Sequence, residues 1–145
     1  MGQIQRQLFF KAPLERVWKV WVEVEKTPEW VHGVQESCVT SSQREGKGLA
    51  WKEKCEFGKK VIQMDHEFSA WEPLKRTVIS SGLPMGGTME RVAEFQSAPE
   101  GTQVNVTMEW DLGMVGAFFD EDKLHHMMEK SFDETARRWK EKAEG

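Results

Sequence analysis

The sequence predicts an α+β fold in which a curved, seven-stranded antiparallel sheet grips one long C-terminal helix. Two observations carry this prediction. An apolar stripe with helical spacing runs over residues 120–143, and strand-length segments separated by turn signals fill residues 34–112. Short connections between successive strands favour an antiparallel meander. The 145 residues suit one domain, 1–145, with a substantial core.

The first third of the chain contains one strand and two short helices. The strand is predicted at residues 3–11, and Pro13 suits the first position of the helix that follows. Thr27 is the predicted N-cap of the second short helix, which ends at Gly33. The other six strands are predicted at residues 34–40, 49–57, 60–71, 74–83, 87–97 and 102–112.

The last helix has acidic residues at its start and basic residues at its end, where the helix dipole favours each charge. A long helix with a single apolar stripe needs a broad apolar surface to lie on. We therefore expect the sheet to wrap this helix and a ligand to lie between them. The stripe consists of Leu124, Met128, Phe132, Ala136, Trp139 and Ala143.

Composition excludes several classes of function. A net charge of −4 argues against a nucleic-acid partner. The sequence shows neither an apolar run of transmembrane length nor a signal peptide, so we expect a cytoplasmic protein without membrane insertion. The four His and two Cys lack metal-ligand spacing, so we expect no metal and no cofactor. Cys38 and Cys55 fall on neighbouring strands but far out of register, which argues against a disulfide.

The inward face of the third and fourth strands follows from the period of two. A two-residue turn at residues 58–59 pairs these strands. In that register Trp51 faces His66. Glu53, two residues further on, faces Met64. The apolar residues of this face are Leu49, Trp51, Cys55 and Phe57 on one strand and Ile62, Met64, Phe68 and Ala70 on the next.

The sixth and seventh strands supply the other half of the inward face. Pairing them across residues 97–102 places Arg91 on this face, so that Glu53, His66 and Arg91 all point towards the predicted cavity. The apolar residues beside Arg91 are Met89, Ala93, Phe95, Val104, Val106, Met108 and Trp110.

Three ionisable side chains on one inward face favour a functional interpretation, because buried charge is costly unless it is paired. A carboxylate beside His66 is expected to raise the imidazole pKa and to select its tautomer, which suits proton transfer. Arg91 can bind a carboxylate or an enolate-like oxygen. The alternative is an internal pair that only satisfies the core. Thr77 and Ser80 lie on opposite faces of the fifth strand, and either can line the site.

Three loops meet at one edge of the predicted meander, at residues 58–59, 84–87 and 113–119. Their apolar side chains and glycine hinges suit a gate that repacks around a ligand. The alternative is a loop cover over one end of the core. The apolar residues of these loops are Met85, Met114, Phe118 and Phe119.

Two stretches of the sequence, FKAPLERVW at residues 10–18 and PEW at residues 28–30, resemble the START-like helix-grip superfamily (SRPBCC), and its polyketide cyclase/dehydrase branch in particular. The order of predicted elements matches over nearly the whole chain. The resemblance implies a sheet gripping the last helix around an apolar cavity. Members include lipid and hormone carriers, aromatase/cyclases and co-chaperone-like domains, without one catalytic signature common to all.

The expected function is therefore the binding of a hydrophobic small molecule, lipid-like, aromatic or polyketide-like, in an internal cavity. One alternative is a cofactor-free cyclase or dehydratase that uses Glu53, His66 and Arg91. Another is a co-chaperone-like protein-binding module. The sequence decides neither the ligand nor the oligomeric state. The predicted ligand-binding residues are Trp51, Glu53, His66, Met89, Arg91, Met108, Trp110, Phe118, Phe119, Met128 and Phe132.

Overall fold

A computed structural model describes residues 2–145, apart from the side chain of Val115. The described residues form one antiparallel sheet and two α-helices, α1 (Leu14–Val22) and α2 (Glu121–Glu144). Short 3₁₀ helices cover Val24–Glu29, Pro84–Gly86 and Gly113–Phe118. The strands are β1 (Gly2–Phe10), β2 (Val34–Val39), β3 (Ala50–Phe57), β4 (Lys60–Glu72), β5 (Arg76–Gly82), β6 (Thr88–Ala98) and β7 (Gly101–Asp111).

The sheet has the order β1-β7-β6-β5-β4-β3-β2, so β2 to β7 form a meander and β1 pairs with the last strand. The predicted α+β architecture is confirmed. Because β1 and β2 lie at opposite edges, α1 and the 3₁₀ helix Val24–Glu29 carry the chain from one edge to the other. Neither α-helix of the described chain combines the length and apolarity of a membrane span.

Helix α2 begins where its charge pattern predicts. The Asp120 side chain accepts a hydrogen bond from the backbone N–H of Lys123 at 3.1 Å, as an N-cap does. The apolar stripe faces the sheet and α1, and of its members only Met128 is not fully buried. The stripe therefore positions the helix along the sheet, as expected from the sequence.

Two predicted helix starts are wrong. Pro13 is the N-cap of α1 rather than its first helical residue, because its backbone is extended and its carbonyl accepts from the N–H groups of Arg16 and Val17. Thr27 lies inside the 3₁₀ helix Val24–Glu29, where its side chain makes no N-capping bond and its carbonyl accepts from the N–H of Trp30 at the helix end. Its hydroxyl donates instead to the buried carboxylate of Glu53, whose charge makes it a strong acceptor.

A β-bulge in β4 changes which residues face inward. The ladder to β5 passes from Phe68 directly to Ala70, so Ser69 is the extra residue. Beyond the bulge Trp71 occupies the inward position predicted for Ala70. Its ring packs edge-on against Trp18 at 5.4 Å and Phe68 at 4.8 Å. The prediction for Ala70 fails because strict alternation does not allow for an inserted residue.

Candidate functional site

A cavity of about 130 Å³ lies between the sheet and the N-terminal half of α2. Its walls are mostly apolar, with methionine side chains from β4, β6, β7 and α2. Trp30 and Val31, which follow the 3₁₀ helix Val24–Glu29, close another side. Of the predicted binding residues, the cavity is lined by Glu53, His66, Met89, Arg91, Met108, Trp110, Met128 and Phe132.

Three other predicted binding residues do not line this cavity. Trp51 is only 2% exposed because its ring packs against His66 and Phe68. It therefore packs behind the residues that line the cavity. Phe118 is 85% exposed on the loop, and Phe119 packs edge-on against Phe57. Sequence alternation places Trp51 on the correct face, but it does not show how deeply a residue lies.

The Glu53 carboxylate is buried at the wall of the cavity and accepts hydrogen bonds at both oxygens. His66 Nε2 lies 2.8 Å from Oε1. Thr27 Oγ1 donates to Oε2 at 2.7 Å, and Trp51 Nε1 donates to the same oxygen at 3.1 Å. Burial alone would raise the pKa of Glu53. The hydrogen bond from His66, the neighbouring charges and the Thr27 hydroxyl outweigh burial and lower this pKa to about 2.

The contacts of His66 determine its tautomer. Arg91 Nη2 lies 3.2 Å from His66 Nδ1, and an arginine can only donate. Nδ1 is therefore the acceptor and Nε2 carries the proton that is donated to Glu53. Ser81 Oγ, 2.6 Å from the same Nδ1, also donates to it. Both ring nitrogens of His66 are thus occupied by protein groups.

The expected rise in the His66 pKa is wrong in sign. Burial disfavours the imidazolium and lowers the pKa of His66, and the positive charge of Arg91 lowers it further. Glu53 acts in the opposite direction but does not outweigh burial. His66 is consequently a neutral imidazole between a carboxylate and a guanidinium.

Arg91 forms the end of this polar chain at the cavity. Burial lowers the pKa of Arg91, but an arginine in a protein stays protonated. Its Nε–H is buried and has no acceptor among the described residues. The chain from Glu53 through His66 to Arg91 is therefore neutral in total, and its positive end lies at the cavity wall.

The thiol of Cys55 also lines the cavity. Burial and then the charge of Glu53 raise the pKa of Cys55 to about 12. The protonated thiol is a poor nucleophile, so Cys55 contributes an apolar surface rather than covalent chemistry.

The fifth strand contributes a residue that the sequence does not single out. Ser81 faces inward and contacts the imidazole. Ser80 faces the other side of the sheet, where its hydroxyl lies 2.8 Å from that of Ser69. Thr77 faces inward but accepts from Trp21 Nε1 at 2.9 Å and does not line the cavity. If the bulge at residue 69 were known, the pairing of β4 with β5 would identify Ser81 as the serine that faces inward.

Two of the three predicted gate loops meet at one end of the cavity. The 3₁₀ helices Pro84–Gly86 and Gly113–Phe118 lie against each other, and Leu83 and Leu112 at their bases line the cavity. The apolar side chains of the two 3₁₀ helices, in contrast, face solvent. Met85, Met114 and Phe118 are 70%, 80% and 85% exposed. This arrangement is what a gate requires, and the gating role remains a prediction.

Hydrogen exchange tests the gate. We expect fast exchange at the amides of Met85, Gly86 and Gly113–Phe118, because few buried contacts protect these loops. A bound ligand should slow exchange there while the β6–β7 amides stay protected throughout. Loop amides that are protected from the start, and indifferent to any bound ligand, would count against a gate at this edge.

Comparison with known proteins agrees with this geometry. A family model described as polyketide cyclase / dehydrase and lipid transport matches residues 1–144. The chain belongs to the polyketide cyclase/dehydrase and lipid transport family. The predicted resemblance is thereby confirmed. No curated protein sequence matches the chain.

Solved structures similar to this family member share its fold at low sequence identity. A START superfamily protein from Mycobacterium smegmatis has a TM-score of 0.79 at 10% identity, covering 98% of this chain and 97% of that one. The Zhui aromatase/cyclase from Streptomyces sp. R1128 has a TM-score of 0.74 at 14% identity, covering 98% and 90%. A protein from Thermus thermophilus has a TM-score of 0.79 at 20% identity, covering 98% and 97%.

Proposed function

We propose that this member of the polyketide cyclase/dehydrase and lipid transport family binds a hydrophobic small molecule that carries one anionic or polar group. The observation that supports this is the guanidinium of Arg91 at the wall of a mostly apolar cavity, with an N–H that lacks a protein acceptor among the described residues. Apolar walls with a few placed polar groups are typical of small-molecule sites. The charge of Arg91 favours an anionic oxygen on the ligand.

The cavity volume bounds the buried part of the ligand. Its 130 Å³ is close to the roughly 150 Å³ of an apolar protein cavity that accommodates benzene. It is smaller than the roughly 300–1,000 Å³ of typical ligand pockets. The ligand therefore buries about one aromatic ring, unless the flexible methionines of the lining move apart. Met64, Met89, Met108 and Met128 supply that flexibility.

Native mass spectrometry of the freshly purified protein is the first test, because a retained ligand identifies the class directly. The second is affinity for a panel of aromatic and polyketide-like acids. Arg91→Met should weaken the binding of acids by about 10-fold to 150-fold, the value of a charge-assisted hydrogen bond. Neutral analogues should bind about as before. Arg76→Met, on the neighbouring strand and outside the cavity lining, is the control. Equal binding of acids by wild type and Arg91→Met would reject the proposed site.

A cyclase or dehydratase activity is the second candidate, because a neutral imidazole lines the same cavity beside Arg91. Loss of a general acid or base costs about 10²-fold to 10⁴-fold in rate. If a reaction is catalysed, His66→Gln and Glu53→Gln should lose turnover by such factors with smaller effects on affinity. If the protein only binds, these variants should retain ligand affinity. The occupied ring nitrogens of His66 favour binding over catalysis.

A further inference from the structure

Two buried N–H groups at this cavity have no hydrogen-bond acceptor among the residues that the structure describes. They are Nε of Arg91 and Nε1 of Trp30. Both side chains line the same cavity. Trp30 is 2% exposed, so bulk water does not serve as its partner. Buried donors without partners are rare in native proteins because leaving them unpaired costs free energy.

Other buried indoles show that this interior normally satisfies such donors. Trp21 Nε1 donates to the Thr77 hydroxyl at 2.9 Å. Trp139 Nε1 donates to the Val17 carbonyl at 3.2 Å. Trp30 packs against both of these indoles, at 6.2 Å and 5.6 Å between ring centroids, yet its own N–H has no partner within the described chain. Trp21 and Trp30 both line the cavity with Arg91, and of these two indoles only that of Trp30 has an N–H without an acceptor among the described residues.

The two donors belong to different walls. Arg91 lies on β6 in the sheet, whereas Trp30 directly follows the 3₁₀ helix Val24–Glu29 on the side of α1 and α2. One ligand atom does not explain two donors from separate elements. Arg91 is charged and suits an anionic oxygen. The indole N–H is neutral among aromatic rings, where a second anion would be buried without a counter-charge.

We infer that the ligand carries two oxygen acceptors, an anionic one bound by Arg91 and a neutral one, such as a carbonyl or ether oxygen, bound by the Trp30 indole N–H. This inference rests on the proposed function and narrows its ligand to an oxygenated aromatic or polyketide-like acid. Each nitrogen is covered by neighbouring protein atoms. A small rotation of the indole and of the guanidinium therefore accompanies binding.

Matched probes test the second acceptor. The three ring isomers of acetylbenzoate carry a ketone oxygen, whereas the corresponding ethylbenzoates have nearly the same shape without it. Wild type should bind at least one acetylbenzoate about twofold to tenfold more tightly than its ethyl partner, as one neutral hydrogen bond predicts. Trp30→Phe should remove this preference. Trp71→Phe, at a partly buried aromatic position outside the cavity lining, should retain it. Arg91→Met should weaken both members of each pair.

A direct readout does not depend on a stable variant. The indole N–H resonance of Trp30, assigned by its absence in Trp30→Phe or by selective labelling, should shift downfield with acetylbenzoate and much less with ethylbenzoate. An unmoved resonance with acetylbenzoate bound overturns the inference. Equal affinity within every pair, with dependence on Arg91 intact, also overturns it and leaves the proposed function standing. If none of the benzoates binds wild type, the proposed binding of aromatic acids fails as well.

Discussion

Glu53→Gln is expected to lower the free energy of unfolding at pH 7 by about 3 kcal/mol. The folded protein lowers the Glu53 pKa from 4.5 to about 2, and a pKa change of one corresponds to roughly 1.4 kcal/mol. A glutamine has one oxygen where the carboxylate has two. Its amide NH₂ therefore faces either His66 or both Thr27 and Trp51, which donate to the same oxygen in the wild type. Urea denaturation of the two proteins at pH 7 measures the difference.

The stabilisation by Glu53 and His66 depends on pH. The Glu53 pKa is lower in the folded protein, so its contribution is complete above pH 4.5 and is lost as the pH falls towards 2. The folded pKa of His66 is also lowered, from 6.5, so unfolding takes up a proton there. Stability should therefore begin to fall below pH 6.5 and fall further below pH 4.5. His66→Gln should remove the loss of stability that begins below pH 6.5. Glu53→Gln should remove the further loss below pH 4.5.

Glu67→Gln is the matched control, since Glu67 is the exposed residue next to His66 on β4 and faces the other side of the sheet. It should change the unfolding free energy by less than about 0.5 kcal/mol. If Glu53→Gln and Glu67→Gln lower the free energy of unfolding by the same amount, the Glu53 network does not stabilise the fold. A wild-type protein equally stable at pH 7 and pH 4 would contradict the lowered pKa values.

The sequence predicts the polar chain because the face of a strand residue depends on a short count from the nearest turn. From the turn at residues 58–59, that count pairs Trp51 with His66 and Glu53 with Met64, and the structure confirms both pairs. The same counting pairs Arg91 with Met108 across β6 and β7. Neither strand pair contains a β-bulge, so both predicted pairings occur in the folded sheet.

Other parts of the site depend on information that is not local. The bulge at Ser69 shifts the alternation of β4, which is why Ser81 rather than Ser80 reaches the site. Thr27 and Trp30 come from the segment before β2, and their positions depend on how that segment packs across the sheet. The sign of the change in the His66 pKa depends on burial, which a residue pattern does not reveal.

The stripe of α2 has two different environments. In the sequence it is uniform, with apolar residues every three or four positions. In the structure the C-terminal half packs solidly, because Trp139 contacts the rings of Phe10 and Trp21 at 4.7 Å and 4.8 Å. The N-terminal half borders the cavity through Met128 and Phe132. One half of the helix therefore packs into the core while the other half borders the cavity.

Trp139→Ala is expected to cost about 3–5 kcal/mol of unfolding free energy, the usual range for removing a buried tryptophan from a core. Trp139 is 1% exposed, and its loss also leaves the Val17 carbonyl without the indole donor. Met128→Ala, in the same stripe, should cost less than half as much. Its side chain already borders a cavity, so fewer packing contacts are lost.

Chemical denaturation of both variants measures this ratio, and Trp139→Phe serves if the alanine variant does not fold. The phenylalanine keeps a ring in the cluster but removes the indole donor, so it should still be less stable than Met128→Ala. Ligand affinity should show the reverse order, because Met128 lines the cavity and Trp139 does not. Equal costs for the two positions would mean that α2 is packed alike along its length. The space beneath its N-terminal half would then be too well filled to accept a ligand.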